Sequence, residues 1–201
     1  EESLPDFMSL AYLPQYGMVR LRLDARHENE KLLQECLDNQ IQKLKEIISD
    51  YIFSYDDKPI SEVIVNMLKE RNLSLSTAES CTGGSIARMI TSVPGCSYIY
   101  KGSVIAYDSK VKEELLNINH DDIEKYNVVS QEVAEQMAIG VRNLMNTDFA
   151  MSTTGIAGPD GGTEKNPVGT VCIALATPNE VISKRHNFGK DRQNNIERAS
   201  I

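Results

Sequence analysis

What this sequence lacks narrows it quickly. No apolar run approaches the ~20 residues that a bilayer crossing needs, so no membrane span is expected. No charged-then-apolar leader with a cleavage site opens the chain, so secretion is not indicated and a cytoplasmic location is expected. Basic residues are not in excess: 21 Lys and Arg face 29 Asp and Glu, a formal net charge of -8. An acidic chain repels phosphate unless its cations cluster, which argues against broad nucleic-acid binding. The four cysteines, at positions 36, 81, 96 and 172, form no C-x-x-C pair. The histidines His27, His120 and His186 are scattered, with no H-E-x-x-H. No structural metal is expected, and the thiols read as free buried groups. No period of ~20–50 residues is visible, which excludes a solenoid. A content of 41% apolar and 25% charged residues excludes a collagen or a disordered acidic tail. In 201 residues there is room for one large domain or two small ones.

Two units are legible. In residues 1–58, Leu10–Tyr12 suggests a short strand, with Pro14 and Gly17 marking a turn. Met18-Val-Arg-Leu-Arg-Leu-Asp24 alternates apolar and charged side chains, the pattern of a half-buried strand. From Asn29 to Asp50, Leu32, Leu33, Cys36, Leu37, Ile41, Leu44, Ile47 and Ile48 recur at helical steps. Tyr51–Tyr55 has strand composition, ended by Pro59. This α+β unit is small enough to need a neighbour, so a homodimer is expected. In residues 59–201 strands and helices alternate. Helices are expected over Ser61–Arg71 with Ser61 as N-cap, within 80–91 after a loop, and over Ser109–Leu116, Asp121–Lys125 and Ser130–Met145. The last has an apolar face of Val133, Met137, Val141 and Leu144. Strands are expected over Leu73–Thr77, Gly102–Tyr107, Phe149–Ser152, Val168–Thr177 and Val181–Phe188. The fold class is α/β: a three-layer α/β/α sandwich with a mixed, largely parallel sheet. The chain opens Glu-Glu-Ser and ends Glu197–Ile201 in what reads as the first turns of a helix, so a fragment of a longer protein is expected.

Four segments can carry chemistry. Ser76–Gly84 runs from a strand through a loop rich in hydroxyls and glycines into a helix. Free N–H groups at such a junction stabilise an anion or oxyanion. Ser80 stands at the strand end as a candidate nucleophile, with Cys81 its rival and a simple N-cap the bland alternative. Neither the P-loop spacing nor G-x-S-x-G is present. Thr153–Thr170 carries five glycines and two prolines between two strands, a loop too long for a mere turn. Its N–H groups can form a phosphate nest. Gly102–Lys112 sets Tyr107 at a strand end and Lys110 and Lys112 at a helix start, where the dipole lowers a lysine pKa. That suits a general base or a phosphate ligand. Ser109–Lys112 reads S-x-x-K, but without the partner motifs of β-lactamases the match is taken as chance. Phe188–Arg192 is a charged turn that can set Arg192 over an anion.

Together A-E-S-C-T-G-G, V-x-A-Y-x-x-x-x-K, V-S-x-E-V-A-x-x-M-A-x-G and T-G-I-A-G-P-D-G-G-T with P-V-G-T-V resemble the C-terminal domain of the competence-damage-inducible CinA family. Its stand-alone bacterial relatives are nicotinamide-nucleotide amidohydrolases, or NMN deamidases. The resemblance covers about residues 60–198, and Leu10–Tyr55 resembles the KH-like linker domain of that family. It implies hydrolysis of the carboxamide of nicotinamide mononucleotide (NMN) to nicotinic acid mononucleotide and ammonia, in pyridine nucleotide salvage and NAD metabolism, with no cofactor. It also implies Ser80 as nucleophile, Lys112 as its base, Tyr107 as relay or orienting group, and Thr154 beside Ser80 in one polar network. Thr82, Gly83 and Gly84 would hold the oxyanion. Gly155, Gly158, Gly161, Gly162 and Thr163, with Arg192, would meet the substrate phosphate. A pyrophosphatase-like N-terminal domain is implied outside this chain, and the last helix is expected to be cut short. The linker has no G-x-x-G loop, so no nucleic-acid partner is expected. The alternatives are a catalytically silent nucleotide-binding or assembly module, and a DNA-associated competence factor, against which the charge argues.

Overall fold

Glu30–Ile48 forms a helix because its apolar residues recur on one face and Asn29 caps it, the Asn29 Oδ1 accepting from Leu32 N at 3.1 Å. The computed structural model describes residues 4–15 and 17–201, and they divide between Lys58 and Pro59 into two compact units.

In the first unit, β1 (Met8–Gln15) and β2 (Met18–Ala25) pair antiparallel, from Met8 opposite Ala25 to Gln15 opposite Met18. The helix is α1, and none of its residues is fully buried. The strand expected over Tyr51–Tyr55 is not formed. A 3₁₀ turn takes Ser49–Tyr51, and the Ser54 hydroxyl then donates to Asp56 O and accepts from Asp56 N. This local serine turn satisfies backbone groups that a ladder would otherwise need.

The second unit contains α2 (Ile60–Glu70), β3 (Leu75–Glu79), α3 (Ser85–Thr91), β4 (Tyr100–Ile105), α4 (Ser109–Leu116), α5 (His120–Tyr126), α6 (Gln131–Met145), β5 (Phe149–Gly155), β6 (Thr170–Ala176), β7 (Val181–Asn187) and α7 (Arg192–Ser200). The five-stranded sheet has the order β4-β3-β5-β6-β7. β4, β3 and β5 run parallel, while β6 pairs antiparallel with both β5 and β7. The sheet is therefore mixed: parallel on one side of β5 and antiparallel on the other. Only β6 opposes the common direction of β4, β3, β5 and β7, so four of the five strands run the same way. Helices cover both faces. Val133, Met137 and Val141 of α6 bury themselves against Ala78, Ala150 and Ala174. On the other face Val65 of α2 and Ile86 and Ile90 of α3 pack on Leu75. Leu144, expected in the α6 core face, is 54% exposed; the last turn gives Met145 to the core instead. Pro59, not Ser61, occupies the N-cap position of α2, and Ser61 is buried in its first turn.

The starts of β3 and β5 are tied by one side chain. Asp148 Oδ2 accepts from Ser74 N at 2.7 Å and Ser74 Oγ at 2.6 Å, and Asp148 N donates back to Ser74 Oγ. These bonds favour the carboxylate and lower its pKa from 3.8. The group titrates lower folded than unfolded, so its contribution is full above about pH 3.8 and is lost as pH falls toward the folded value. Asp148→Asn should lower the melting temperature at pH 7, with the gap to wild type closing below about pH 4 in a series of thermal melts.

Candidate active site

Parallel strands deliver their carboxyl ends to the same edge of a sheet, where α/β folds bind ligands. Here β3 ends at Glu79, just before Ser80, β4 leads to Ala106 and Tyr107, and β5 ends at Thr154 and Gly155. Between them lies a pocket of about 250 Å³. Its walls include Ser80, Cys81, Tyr107, Lys112, Thr154 and Arg192, and among the described residues no carboxylate lines it. A chain of net charge -8 thus keeps this recess free of acidic side chains.

Lys112 is the largest buried side chain here, 1% exposed. It sits on α4, which begins at an Asp108 cap, and helical side chains lean back toward the N-terminus. That lean carries Nζ to Ala106 O at 2.7 Å, Tyr107 O at 3.5 Å and Ser80 Oγ at 3.3 Å. Burial lowers its pKa from 10.5; Asp108 and Cys81 oppose the shift without reversing it. With the amine neutral, the same contact lets Ser80 O–H donate to Nζ. Cys81, the rival nucleophile, packs with Ala157, Val171 and Ala199, and burial pushes its thiol up to about 12. A thiol that keeps its proton at neutral pH is a weak nucleophile.

The other predicted residues separate. Tyr107 is exposed on the rim, and its hydroxyl accepts from Arg192 Nη2 at 3.2 Å. What it offers Lys112 is its carbonyl, at 3.5 Å from Nζ. Thr154 lines the pocket, but its hydroxyl donates to Val128 O at 2.8 Å. The residue networked with the Ser80 loop is its neighbour Thr153, whose carbonyl accepts from Ser80 N and whose hydroxyl meets that of Thr82 at 2.8 Å. The Gly83 and Gly84 N–H groups are also committed, to Ser80 O and to Glu79. Among the described residues of this loop, the Thr82 N–H has no recorded acceptor, and the Cys81 N–H meets its own thiol. Of the three residues expected to meet an oxyanion, Gly83 and Gly84 have committed N–H groups and Thr82 does not.

The glycine loop folds on itself. Ile156 N donates to Thr170 O, Gly169 N to Ile156 O, and Thr163 N to Asn166 O. A Cβ at Gly158 would lie 2.5 Å from Val168 Cγ1, and one at Gly162 2.8 Å from Val168 N. These positions are glycine because the loop packs closely against itself. Gly155 lines the pocket; Gly158 does not, but its carbonyl accepts from Nη1 of the pocket residue Arg192 at 2.7 Å. Gly162 and Thr163 border a separate hollow with Lys190, and Gly161 is exposed. A phosphate nest built from all of them is not what the loop forms. Sequence reasoning missed Glu79, Thr153 and Asn195. Asn195 is 1% exposed and donates to Ala157 O and Gly189 O, joining α7 to the loop. Its signal was a polar residue four places before the buried Ala199.

Residues 57–200 match the family model of the CinA C-terminal domain. The chain belongs to that family. The CinA-like protein of Flavobacterium psychrophilum is 48% identical over 200 residues, covering 99% of this chain and 48% of the relative. That of Cytophaga hutchinsonii is 39% identical over 201 residues, again with 48% of the relative covered. The chain thus spans about half the length of the curated CinA relatives it matches. The crystal structure of competence/damage inducible protein CihA from Agrobacterium tumefaciens superposes with a TM-score of 0.69 at 31% identity, covering 70% of this chain and 87% of that one. A CinA superfamily structure from Escherichia coli gives 0.68 at 28% identity, covering 70% and 82%. Among the described residues no helix is long and apolar enough to cross a membrane, and no group of three His, Cys, Asp or Glu is placed to hold a metal ion.

Proposed function

We propose that the 59–201 unit is an amidohydrolase that cleaves the carboxamide of NMN, with Ser80 as nucleophile and Lys112 as its base. The observation that carries this reading is the 3.3 Å contact between Lys112 Nζ and Ser80 Oγ, made by a buried lysine whose pKa is lowered. An amide is a poor electrophile and a serine hydroxyl a poor nucleophile, so an adjacent neutral amine is what the reaction needs. Lys112 takes the hydroxyl proton as the Oγ–C bond forms and the carbonyl becomes an oxyanion. The Thr82 N–H group is the free donor for it, and losing one such donor typically costs about 2.7–4 kcal/mol. The protonated lysine then gives its proton to the departing nitrogen, releasing ammonia. Water, deprotonated by the same amine, frees the acid from Ser80.

A pocket of about 250 Å³ suits the pyridine ring and its carboxamide. The ribose phosphate then extends to the rim, where Arg192 supplies a cation. The test is ammonia release from NMN. The wild-type chain should turn over, and Ser80→Ala should lose activity by about 10³-fold or more while keeping its thermal unfolding midpoint within a few degrees. NMN binding without ammonia release would instead identify a silent binding module. Full turnover by Ser80→Ala would remove Ser80 from the mechanism.

A further inference from the structure

Glu79 immediately precedes Ser80, and it is 0% exposed on the face of β3 that carries α3. Its carboxylate meets no cation among its recorded hydrogen-bond partners. Instead Oε2 accepts from Thr82 Oγ1 at 2.7 Å, Gly84 N at 2.9 Å and Ile86 N at 3.1 Å, and Oε1 accepts from Ala87 N at 2.8 Å. The residue at the N-cap position of α3, Gly84, has no side chain with which to satisfy the first-turn N–H groups. Glu79 does so from the strand, closing residues 79–87 into one hydrogen-bonded ring. The positive end of the helix favours the negative charge there.

The ring extends across the sheet. Because the Thr82 hydroxyl donates to Glu79, its oxygen is left to accept from the Thr153 hydroxyl at 2.8 Å. Thr153 O in turn accepts from Ser80 N at 3.0 Å, and Ser80 O accepts from Gly83 N at 3.1 Å. Every main-chain bond that fixes Ser80 thus belongs to a network with Glu79 at its centre. The Gly83–Gly84 segment, where a Cβ at Gly83 would meet nothing within 4 Å, has little side-chain packing of its own to replace it.

We propose that Glu79 is a positioning residue: its carboxylate locks the 80–84 loop so that Ser80 Oγ faces Lys112 Nζ. This rests on the reading of Ser80 as nucleophile. Glu79 touches no substrate and takes no proton. In Glu79→Gln the best amide orientation keeps an oxygen toward Thr82, Gly84 and Ile86 but sets an NH₂ group against Ala87 N–H, which loosens the helix start. In Thr82→Val the three backbone bonds remain and the hydroxyl bridge to Thr153 is lost. A misplacement of about 1 Å at a reacting centre costs on the order of 10²-fold in rate.

The experiment labels Ser80 with a fluorophosphonate probe, so that the readout does not depend on NMN. Oγ bonds to phosphorus, fluoride leaves and Lys112 takes the hydroxyl proton. Mass spectrometry locates the label, and its rate constant and final extent are followed against pH. The wild-type chain should label at Ser80, faster as Lys112 loses its proton. Glu79→Gln should label at least about 10-fold more slowly and Thr82→Val about 3- to 10-fold more slowly, both with a flattened pH dependence and near-complete final labelling. A purely structural role would lower the final extent through unfolded protein, leaving the rate constant and pH dependence of the folded fraction at wild-type values; that result overturns the proposal. Should Glu79→Gln fail to fold, Thr82→Val decides by the same criteria. A wild-type chain that does not label at Ser80 overturns the nucleophile reading and this inference together, whereas a labelled wild type with unchanged variants overturns this inference alone.

Discussion

Lys112→Met is expected to reduce NMN hydrolysis by about 10³-fold while leaving the melting temperature unchanged or raised. General-base catalysis contributes typically 10²–10⁴-fold, and Lys112 is the titratable side chain hydrogen-bonded to Ser80 Oγ. The stability side follows from burial. The ammonium form is disfavoured in the folded protein, so Lys112 titrates below 10.5 there. As pH falls below 10.5 the unfolded chain gains the proton first, so the lysine costs stability progressively until the folded value is passed. Methionine removes that cost and fills similar space, and replacing a buried charge with a well-packed apolar group is often neutral or stabilising. It strips a donor from Ala106 O and Tyr107 O, a smaller loss. With the neutral amine as the proposed base, wild-type activity should rise with pH, with a midpoint below 10.5. Steady-state kinetics across pH and thermal melts of both proteins measure this. The double variant with Ser80→Ala should be no slower than either single one, since the two groups act as a unit. A Lys112→Met enzyme within 10-fold of wild type would remove the lysine from the mechanism.

Gly140→Ala is expected to destabilise the protein, although helix propensity alone predicts the opposite. An interior glycine in a helix costs about 0.5–1 kcal/mol relative to alanine, so substitution in α6 looks favourable. The structure reverses the sign. A Cβ at 140 would sit 2.2 Å from Leu116 O and 2.9 Å from Leu116 Cβ. Backbone cannot yield at that distance without α4 and α6 moving apart. Overpacking of this kind costs about 1–3 kcal/mol, occasionally more, and a contact this short belongs at the upper end. The net loss of about 2 kcal/mol corresponds to a fall in melting temperature of roughly 4–8 °C for a domain of this size. Turnover should fall as well, because α4 carries Lys112 and its displacement moves Nζ away from Ser80. A variant as stable as wild type would show that the two helices are not in contact there.

Much of this architecture was legible in the chain itself. The helices expected over Ser109–Leu116 and Ser130–Met145 follow from local signals the structure reproduces, with Ser130 itself the cap whose hydroxyl accepts from Val133 N. So does the placement of Ser80 at a strand end. The reversal of direction after β5 was harder to read. Apolar strands look alike whether their neighbours are parallel or not, and Thr170–Ala176 returns antiparallel through a loop long enough for either course. Tyr51–Tyr55 misled because strand composition cannot reveal whether a partner strand is available. In the site, the glycines of 155–163 suggested a ligand nest, whereas at Gly158 and Gly162 they answer to Val168. Long-range packing of that sort leaves no local signature. Glu79 was hidden for a related reason: a charged residue among Leu75, Thr77 and Ala78 has meaning only once α3 folds back over it.

The thiol beside Ser80 bears on durability. Peroxides and haloacetamides attack thiolates, and a group that holds its proton up to about pH 12 offers them almost none under physiological conditions. An alcohol and an amine do not climb the sulfur oxidation ladder. Hydrolysis built on Ser80 and Lys112 would therefore persist through oxidative stress that silences cysteine-based hydrolases, even with a sulfur atom one residue from the reacting oxygen.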